Sequence, residues 1–204
     1  MRVRVKICGL TRIEDVRLAS SLGADAVGFV FAPGPRRLSV DHARGLVAAV
    51  PAWVSRVGVF GPDEREEAIA IAETCRLDTL QLHGVPDPAF CDRARRRFAV
   101  VQAIAVDDDA QRRIDAIAPH IDAVLLDTHQ PGKLGGTGLS WNWAILDQLR
   151  CPAPLIVAGG LNAERARELL ARHAPWGLDV SSGIEASPGI KDAERMKAFF
   201  AAVP

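Results

Sequence analysis

Two kinds of hydrophobic pattern alternate along the chain. Short runs rich in β-branched residues, which fit a pleated and buried surface, predict eight strands at residues 3–8, 26–31, 55–60, 79–83, 100–106, 123–127, 155–158 and 178–181. Between them, apolar residues at helical spacing predict eight helices in residues 13–23, 40–50, 63–75, 87–98, 108–121, 141–150, 162–174 and 192–203. Three helix starts carry side chains that can accept hydrogen bonds from unpaired amides, namely Ser39, Asp63 and Asn162.

The strict alternation of strands and helices predicts parallel strands joined by right-handed crossovers. Such strands are buried on both faces, and runs such as AVGFVF and LIVAG hardly alternate in polarity. Eight repeats in 204 residues predict a closed (β/α)8 TIM barrel, with residues 1–204 forming a single domain. An open doubly wound sheet is the alternative. In a barrel, polar residues at the carboxyl ends of the strands meet at one rim, where the chemistry of this fold lies.

Composition narrows the partners and the compartment. The 25 basic and 25 acidic side chains balance, so charge gives no reason to expect nucleic acid or an anionic membrane. The four cysteines (Cys8, Cys75, Cys91 and Cys151) lack the spacing of a zinc site or a redox pair, which fits reduced thiols. There is no signal-peptide core and no apolar stretch of about 18 residues. The sequence therefore predicts a soluble cytoplasmic protein.

Candidate proton-transfer groups lie at two predicted strand ends. Lys6 and Cys8 are two residues apart on the first strand, so their side chains share a face. An ammonium group beside a thiol favours the thiolate, which is the reactive form. Asp127 ends the sixth strand and is a candidate acid if burial raises its pKa. Two simpler interpretations stay open, since Cys8 fits a small buried residue and Asp127 a turn cap.

Glycine-rich loops follow the last two predicted strands. Gly159 and Gly160 directly precede a predicted helix, and Ser181, Ser182 and Gly183 follow the eighth strand. Glycine lets backbone amides approach an anion closely, and a helix amino terminus adds a positive end. Loops after strands seven and eight form the recurrent phosphate site of TIM barrels, so we predict phosphate binding here. The spacing does not match a nucleotide-binding fingerprint.

Several motifs occur in order along nearly the whole chain: KICGLT, GADAVGFVF, LQLHG, LLDT with GGTG, AGGL, DVSSGIE and PGIKD. In these motifs the chain resembles the phosphoribosylanthranilate isomerases of tryptophan biosynthesis. The resemblance implies an Amadori rearrangement of N-(5′-phosphoribosyl)anthranilate to 1-(2-carboxyphenylamino)-1-deoxyribulose 5-phosphate. It further implies general acid/base catalysis without cofactor or metal, on a small phosphosugar-anthranilate substrate. We expect a monomer or a homodimer.

Matched by position, the resemblance implies Cys8 as general base and Asp127 as general acid. Asp179 would contact the substrate, and His83 matches a family histidine whose role stays open. Phosphate would be held by the glycine and serine loops, at Gly136, Gly159, Gly160, Ser181, Ser182 and Gly183.

The same resemblance implies that Arg36 binds the anthranilate carboxylate. Its loop reads GPRR, which is one residue shorter than usual in the family and lacks a serine. Arg37 therefore remains an alternative for this role.

Two other kinds of function remain open, namely another phosphosugar isomerase or epimerase, and a non-catalytic phosphosugar-binding barrel. A phosphosugar epimerase would need His and Asp metal ligands on several strands, but His83 is the only histidine on a predicted strand. The related isomerase of histidine biosynthesis would be expected to carry an acidic residue at the position of Cys8. A non-catalytic phosphosugar-binding barrel would tolerate the loss of both Cys8 and Asp127, and both are present.

Overall fold

The computed structural model describes residues 2–128 and 142–203. Eight parallel strands close into a barrel in chain order. They are β1 (Arg4–Cys8), β2 (Ala26–Val30), β3 (Ser55–Phe60), β4 (Thr79–Leu82), β5 (Ala99–Ala105), β6 (Ala123–Asp127), β7 (Leu155–Val157) and β8 (Gly177–Val180). Each lies within one residue of its predicted ends. The predicted (β/α)8 barrel is confirmed, and the open sheet is wrong.

Helices surround the barrel. Those described are α1 (Ile13–Ser21), α2 (Val40–Val47), α3 (Ala68–Cys75), α4 (Pro88–Ala94), α5 (Ala110–Ile117), α6 (Ala163–Leu170) and α7 (Ala193–Phe200). Two predicted caps are confirmed, because Ser39 accepts a hydrogen bond from the amide of His42 and Asn162 from that of Arg165. No described helix is both long and apolar enough to cross a membrane.

Two helix predictions need correction. The cap at Asp63 is wrong, since α3 begins only at Ala68. The intervening segment is held as turns because Arg65 donates hydrogen bonds to the carbonyl oxygens of His83 and Val85. In the predicted helix 141–150, the described part is a short 3-10 helix, Trp143–Asp147. Pro152 follows closely and disfavours helical backbone in the residue before it.

Strand alternation separates two hydrophobic regions. The larger core lies between the sheet and the helices and contains residues of both, such as Phe29 and Leu169. A smaller cluster contains residues of β5, β6 and the end of β7, including Leu125 and Ala158, and fills part of the barrel interior. Polar side chains are buried in the barrel as well, and Lys6, His83, Asp127 and Asp179 among them form the site described below.

A short antiparallel hairpin follows the barrel and was not predicted. After β8 and a 3-10 turn (Ser182–Ile184), strands β9 (Glu185–Ser187) and β10 (Ile190–Lys191) pair with each other. The loop after β1 holds the hairpin, since Arg12 donates a 3.2 Å hydrogen bond to the Lys191 carbonyl oxygen. Asp15 accepts another, of 3.2 Å, from the Lys191 amide. The hairpin thus closes against the carboxyl end of β1.

Candidate active site

A buried ion pair lies inside the barrel near its carboxyl end. Lys6 and Asp179 are neighbours across β1 and β8, and Lys6 Nζ lies 2.9 Å from Asp179 Oδ2. Burial lowers the pKa of Lys6, but the charges of Asp179 and Cys8 oppose it and the net pKa is raised. Asp179 Oδ1 is buried without a hydrogen-bond partner among the described residues. That oxygen is therefore placed to accept a hydrogen bond from a bound molecule.

The Cys8 thiol lies at the end of β1, beside Lys6. Gly28 faces them from β2, where a Cβ atom would lie 2.9 Å from Cys8 Sγ and 3.1 Å from Lys6 Cε. Burial raises the pKa of Cys8, Lys6 lowers it and Asp179 raises it, with a net rise. Lys6 therefore acts in the predicted direction, but burial outweighs it. The resting group near neutral pH is a thiol that must lose its proton before it can act as a base.

Asp127 occupies the corresponding position at the end of β6. Its Oδ1 accepts hydrogen bonds from the Thr128 amide at 2.8 Å and the Thr128 hydroxyl at 3.3 Å. Burial raises the pKa of Asp127 to about 6, although the Thr128 amide opposes this, and the charge of Asp179 raises it further. The side chain does cap its turn, as the simpler interpretation held. A carboxyl group with this pKa is also suited to general acid catalysis near neutral pH.

The structure brings the two proton-transfer candidates to one region. The charges of Lys6 and Asp179 act on both Cys8 and Asp127. The strands that carry these four side chains are β1, β6 and β8, and all of them meet at the carboxyl rim. A small molecule bound at this rim could therefore contact both the candidate base, Cys8, and the candidate acid, Asp127.

His83 belongs to the same interior region. Its Nε2 lies 3.1 Å from Gln81 Nε2, and both side chains are buried. Burial lowers the pKa of His83 to about 4, with a further contribution from Lys6, so the ring is neutral at pH 7. It can therefore orient a ligand through hydrogen bonds but carries no charge toward it. Among residues 2–128 and 142–203, no three His, Cys, Asp or Glu side chains are grouped so that they could hold a metal ion.

The two arginines after β2 differ in position. Arg36 Nε and Nη2 donate hydrogen bonds to Glu185 at 2.8 and 2.6 Å. Its Cδ passes 2.4 Å from where a Cβ on Gly9 would lie, and Gly9 has a φ of +73°. Arg37 is exposed, and its backbone forms a bridge with Val30. The structure thus places Arg36 at the rim beside β1 and leaves Arg37 outside it.

The two predicted phosphate loops pack against the candidate acid and against each other. Gly159 and Gly160 have φ values of +85° and +64°, a region that favours glycine. A Cβ on Gly159 would lie 3.1 Å from Asp127 Oδ1, and one on Gly183 would lie 1.8 Å from the Leu161 carbonyl oxygen. Loops seven and eight therefore need glycine to come this close to their neighbours.

The serines of loop eight lie at the same rim. Ser181 follows β8, and Ser182 begins the 3-10 turn after it; both are partly exposed. Gly136, also predicted to bind phosphate, lies outside the described residues. Phosphate binding by these loops stays a prediction.

Sequence reasoning missed Glu185 and Lys191. Both are buried, and the Lys191 ammonium lies 2.8 Å from Glu185 Oε1. They belong to the GIE and PGIKD motifs, whose charged residues flank a glycine-containing turn. The glycine-containing turn between them was the available signal, because it predicts a hairpin after β8 that would bring Glu185 and Lys191 near the rim.

Replacing Asp127 with Asn should stabilise the protein in a pH-dependent way. The folded state raises the pKa of this carboxyl group from 3.8 to about 6, so the cost of ionising it in the fold grows between these two pH values. Above pH 6 to 7 the full cost, on the order of 3 kcal/mol, is present in wild type and absent in Asp127→Asn. Urea unfolding should show the variant more stable at pH 7.5 and nearly equal to wild type at pH 4. An equal difference at both pH values would contradict this.

Comparisons with known proteins give one consistent result. Residues 5–202 match the family described as N-(5'phosphoribosyl)anthranilate (PRA) isomerase. The N-(5'-phosphoribosyl)anthranilate isomerase of Geobacter sulfurreducens is 42% identical over 199 residues, covering 97% of this chain and 96% of the relative. The phosphoribosyl anthranilate isomerase structure from Thermus thermophilus has a TM-score of 0.87 at 39% identity, with 98% of both chains covered. Another such isomerase, solved with reduced 1-(o-carboxyphenylamino)-1-deoxyribulose 5-phosphate, has a TM-score of 0.82 at 36% identity, with 98% of this chain and 97% of that chain covered.

Proposed function

Because this chain belongs to the N-(5′-phosphoribosyl)anthranilate isomerase family, we propose that Cys8 and Asp127 carry its proton transfers. The enzyme rearranges N-(5′-phosphoribosyl)anthranilate to 1-(2-carboxyphenylamino)-1-deoxyribulose 5-phosphate in tryptophan biosynthesis. One observation carries the assignment of roles: a thiol and a carboxyl group of raised pKa share the electrostatic field of one buried ion pair. We further propose that residues 1–204 form a single catalytic domain.

Ring opening is the task of Asp127. Its protonated carboxyl group donates a proton to the ribose ring oxygen as the C1′–O4′ bond breaks and the bonding electrons move to oxygen. The anilino nitrogen supplies its lone pair and becomes a protonated Schiff base. The pKa of about 6 leaves a useful fraction of Asp127 protonated near neutral pH.

Removal of the C2′ proton is the task of Cys8. The Cys8 thiol first loses its own proton to solvent. The positive Schiff base acidifies the C2′ proton, and the Cys8 thiolate takes it to give an enolamine. The enolamine then becomes the ketone as Cys8 gives its proton to C1′ and the Asp127 carboxylate accepts the proton of the 2′-hydroxyl. Asp127 is thereby a carboxylic acid again and Cys8 a thiolate, without a cofactor.

The rim supplies groups for each part of the substrate. Arg36 would bind the anthranilate carboxylate, and the unpaired Asp179 Oδ1 would accept a hydrogen bond from a sugar hydroxyl. Neutral His83 would orient the substrate, and the loops around Gly159 and Ser181 would bind phosphate through backbone amides. All these groups come from one chain, so a single copy offers them together. Monomer or homodimer, and a cytoplasmic location, stay predictions.

Replacing Lys6 with Met should raise the pKa of the Cys8 thiol. The change removes the charge that lowers this pKa and leaves the Asp179 carboxylate, which raises it. The rate of Cys8 alkylation by iodoacetamide, followed by mass spectrometry as pH rises, should reach its midpoint at higher pH in Lys6→Met. The exposed Arg37→Met is the matched control and should leave the midpoint unchanged. A midpoint equal in Lys6→Met and wild type would remove Lys6 from thiol activation.

Turnover of fresh N-(5′-phosphoribosyl)anthranilate tests the proposed roles. The purified chain should consume the substrate, with a loss of its fluorescence that depends on both Cys8 and Asp127. A chain that binds the substrate without converting it would instead be a phosphosugar-binding barrel.

A further inference from the structure

The carboxylate-binding role of Arg36 raises the question of what fixes this long side chain. Glu185 accepts two hydrogen bonds from Arg36, from Nε at 2.8 Å and from Nη2 at 2.6 Å. A guanidinium group has five N–H donors, so three remain, on Nη1 and Nη2. These donors form a second fork that can bind another carboxylate in the same planar geometry. Glu185 thus occupies one edge of Arg36, and the other edge makes no hydrogen bond within residues 2–128 and 142–203.

Lys191 fixes Glu185 to the strands that carry the site. Its ammonium group is buried and donates to Glu185 Oε1 at 2.8 Å. It also donates to the carbonyl oxygens of Cys8 at 2.6 Å and Ser181 at 3.2 Å. The three donors of the ammonium group are therefore all used. The backbone that carries the thiol is thereby linked through Lys191 and Glu185 to the guanidinium of Arg36.

The charges of this network suit one anion. Arg36 and Lys191 each carry a positive charge and Glu185 carries one negative charge, so the three side chains sum to +1. Glu185 is ionised, because Arg36 and Lys191 lower its pKa more than burial raises it. A single ligand carboxylate on Arg36 would neutralise the group. This net positive charge lies at Arg36, in the loop after β2, where solvent is largely excluded from both side chains of the Arg36–Glu185 pair.

We propose that Glu185 and Lys191 are positioning residues that hold Arg36 at a fixed place relative to Cys8, and so select substrates with a carboxylate on the aromatic ring. The inference rests on the proposed function, which gives Arg36 the anthranilate carboxylate. In this proposal neither Glu185 nor Lys191 contacts the reacting atoms. Their effect is on the geometry with which the ring carboxylate, and therefore C2′, is presented to the thiol.

The test compares two inhibitors on Glu185 variants. One is the reduced product analogue, and the other is the same compound without its ring carboxylate. Glu185→Gln removes the charge but keeps the shape, whereas Glu185→Asp keeps the charge but withdraws the carboxylate by one methylene. Both should weaken binding of the carboxylated analogue by about 10- to 100-fold and leave the other analogue within about twofold. The exposed Glu194→Gln is the matched control and should change neither affinity.

Charge alone predicts the opposite sign. Removing the negative Glu185 would tighten binding of an anionic ligand, so tighter binding by Glu185→Gln would overturn the positioning role. Equal losses for both analogues in Glu185→Asp would show a general structural role and would also overturn it. If wild type binds the two analogues equally well, Arg36 does not bind the carboxylate, and the fault lies in the proposed function. Thermal unfolding of each variant, measured beside the affinities, shows whether the variant is folded. If Glu185→Gln is not folded, the affinities of Glu185→Asp, the smaller change, decide between these outcomes.

Discussion

Replacing Cys8 with Ala should lower kcat for N-(5′-phosphoribosyl)anthranilate by about 100- to 10,000-fold, and Asp127→Asn should do the same. Each change removes a group that moves a proton in the transition state and contributes little to binding the ground state. Both side chains are buried at the rim, where water has little access to replace them. Fluorescence progress curves give kcat, and calorimetry with the reduced product analogue gives affinity, which should change by less than about tenfold.

The control for this prediction is a second cysteine. Cys151 is half-buried and lies before β7, so Cys151→Ala should leave kcat unchanged. If Cys8→Ala kept kcat within about threefold of wild type, the base would have to be another group. If affinity for the analogue fell in parallel with kcat, the residue concerned would be a binding group.

Replacing Asp179 with Asn should destabilise the fold by about 3–5 kcal/mol. The change leaves the Lys6 ammonium buried without its counter-ion, at a site where the two side chains are 8% and 7% exposed. Removing one partner of a buried pair costs far more than the pair contributes, because the remaining charge is not solvated. Urea unfolding should show a lower midpoint with an unchanged slope. This effect has the opposite sign to that of Asp127→Asn at neutral pH.

Two further variants isolate the ion pair. The exposed pair Lys197–Glu194 has a similar separation of 2.7 Å, and Glu194→Gln should change stability little. The double variant Lys6→Met/Asp179→Leu should recover part of the loss, since it removes both buried charges. A small loss in Asp179→Asn, equal to that of Glu194→Gln, would mean that Lys6 is solvated in the folded protein.

The strands of the barrel could be predicted from local sequence because parallel strands are buried on both faces. A run such as AVGFVF is short, rich in β-branched and aromatic residues and bounded by turn residues on each side, which together favour a buried strand. Because Cys8 and Asp127 are the last residues of two predicted strands, the sequence also predicted that both lie at the rim. Local propensity failed where a distant contact decided the backbone, as at Asp63, where Arg65 donates hydrogen bonds to carbonyl oxygens in the loop after β4.

The parts of the site that could not be predicted depend on long-range contacts and on burial. Arg36 and Glu185 are 149 positions apart in the chain, and Lys191 and Cys8 are 183 apart. No periodicity relates residues at such separations. From the sequence we could predict that Lys6 lies beside the Cys8 thiol and lowers its pKa. The larger, opposite effect of burial on this pKa could not be predicted, because it depends on the whole barrel closing around Cys8.

The most direct test is a crystal structure of this enzyme with reduced 1-(o-carboxyphenylamino)-1-deoxyribulose 5-phosphate. Cys8 Sγ should contact C2′ of the ligand, and an Asp127 carboxylate oxygen should lie within hydrogen-bond distance of the 4′-hydroxyl, which derives from the ring oxygen. The phosphate should lie between loops seven and eight. A ligand that reaches only one of the two side chains, with the other separated from the sugar by protein, would contradict the proposed mechanism.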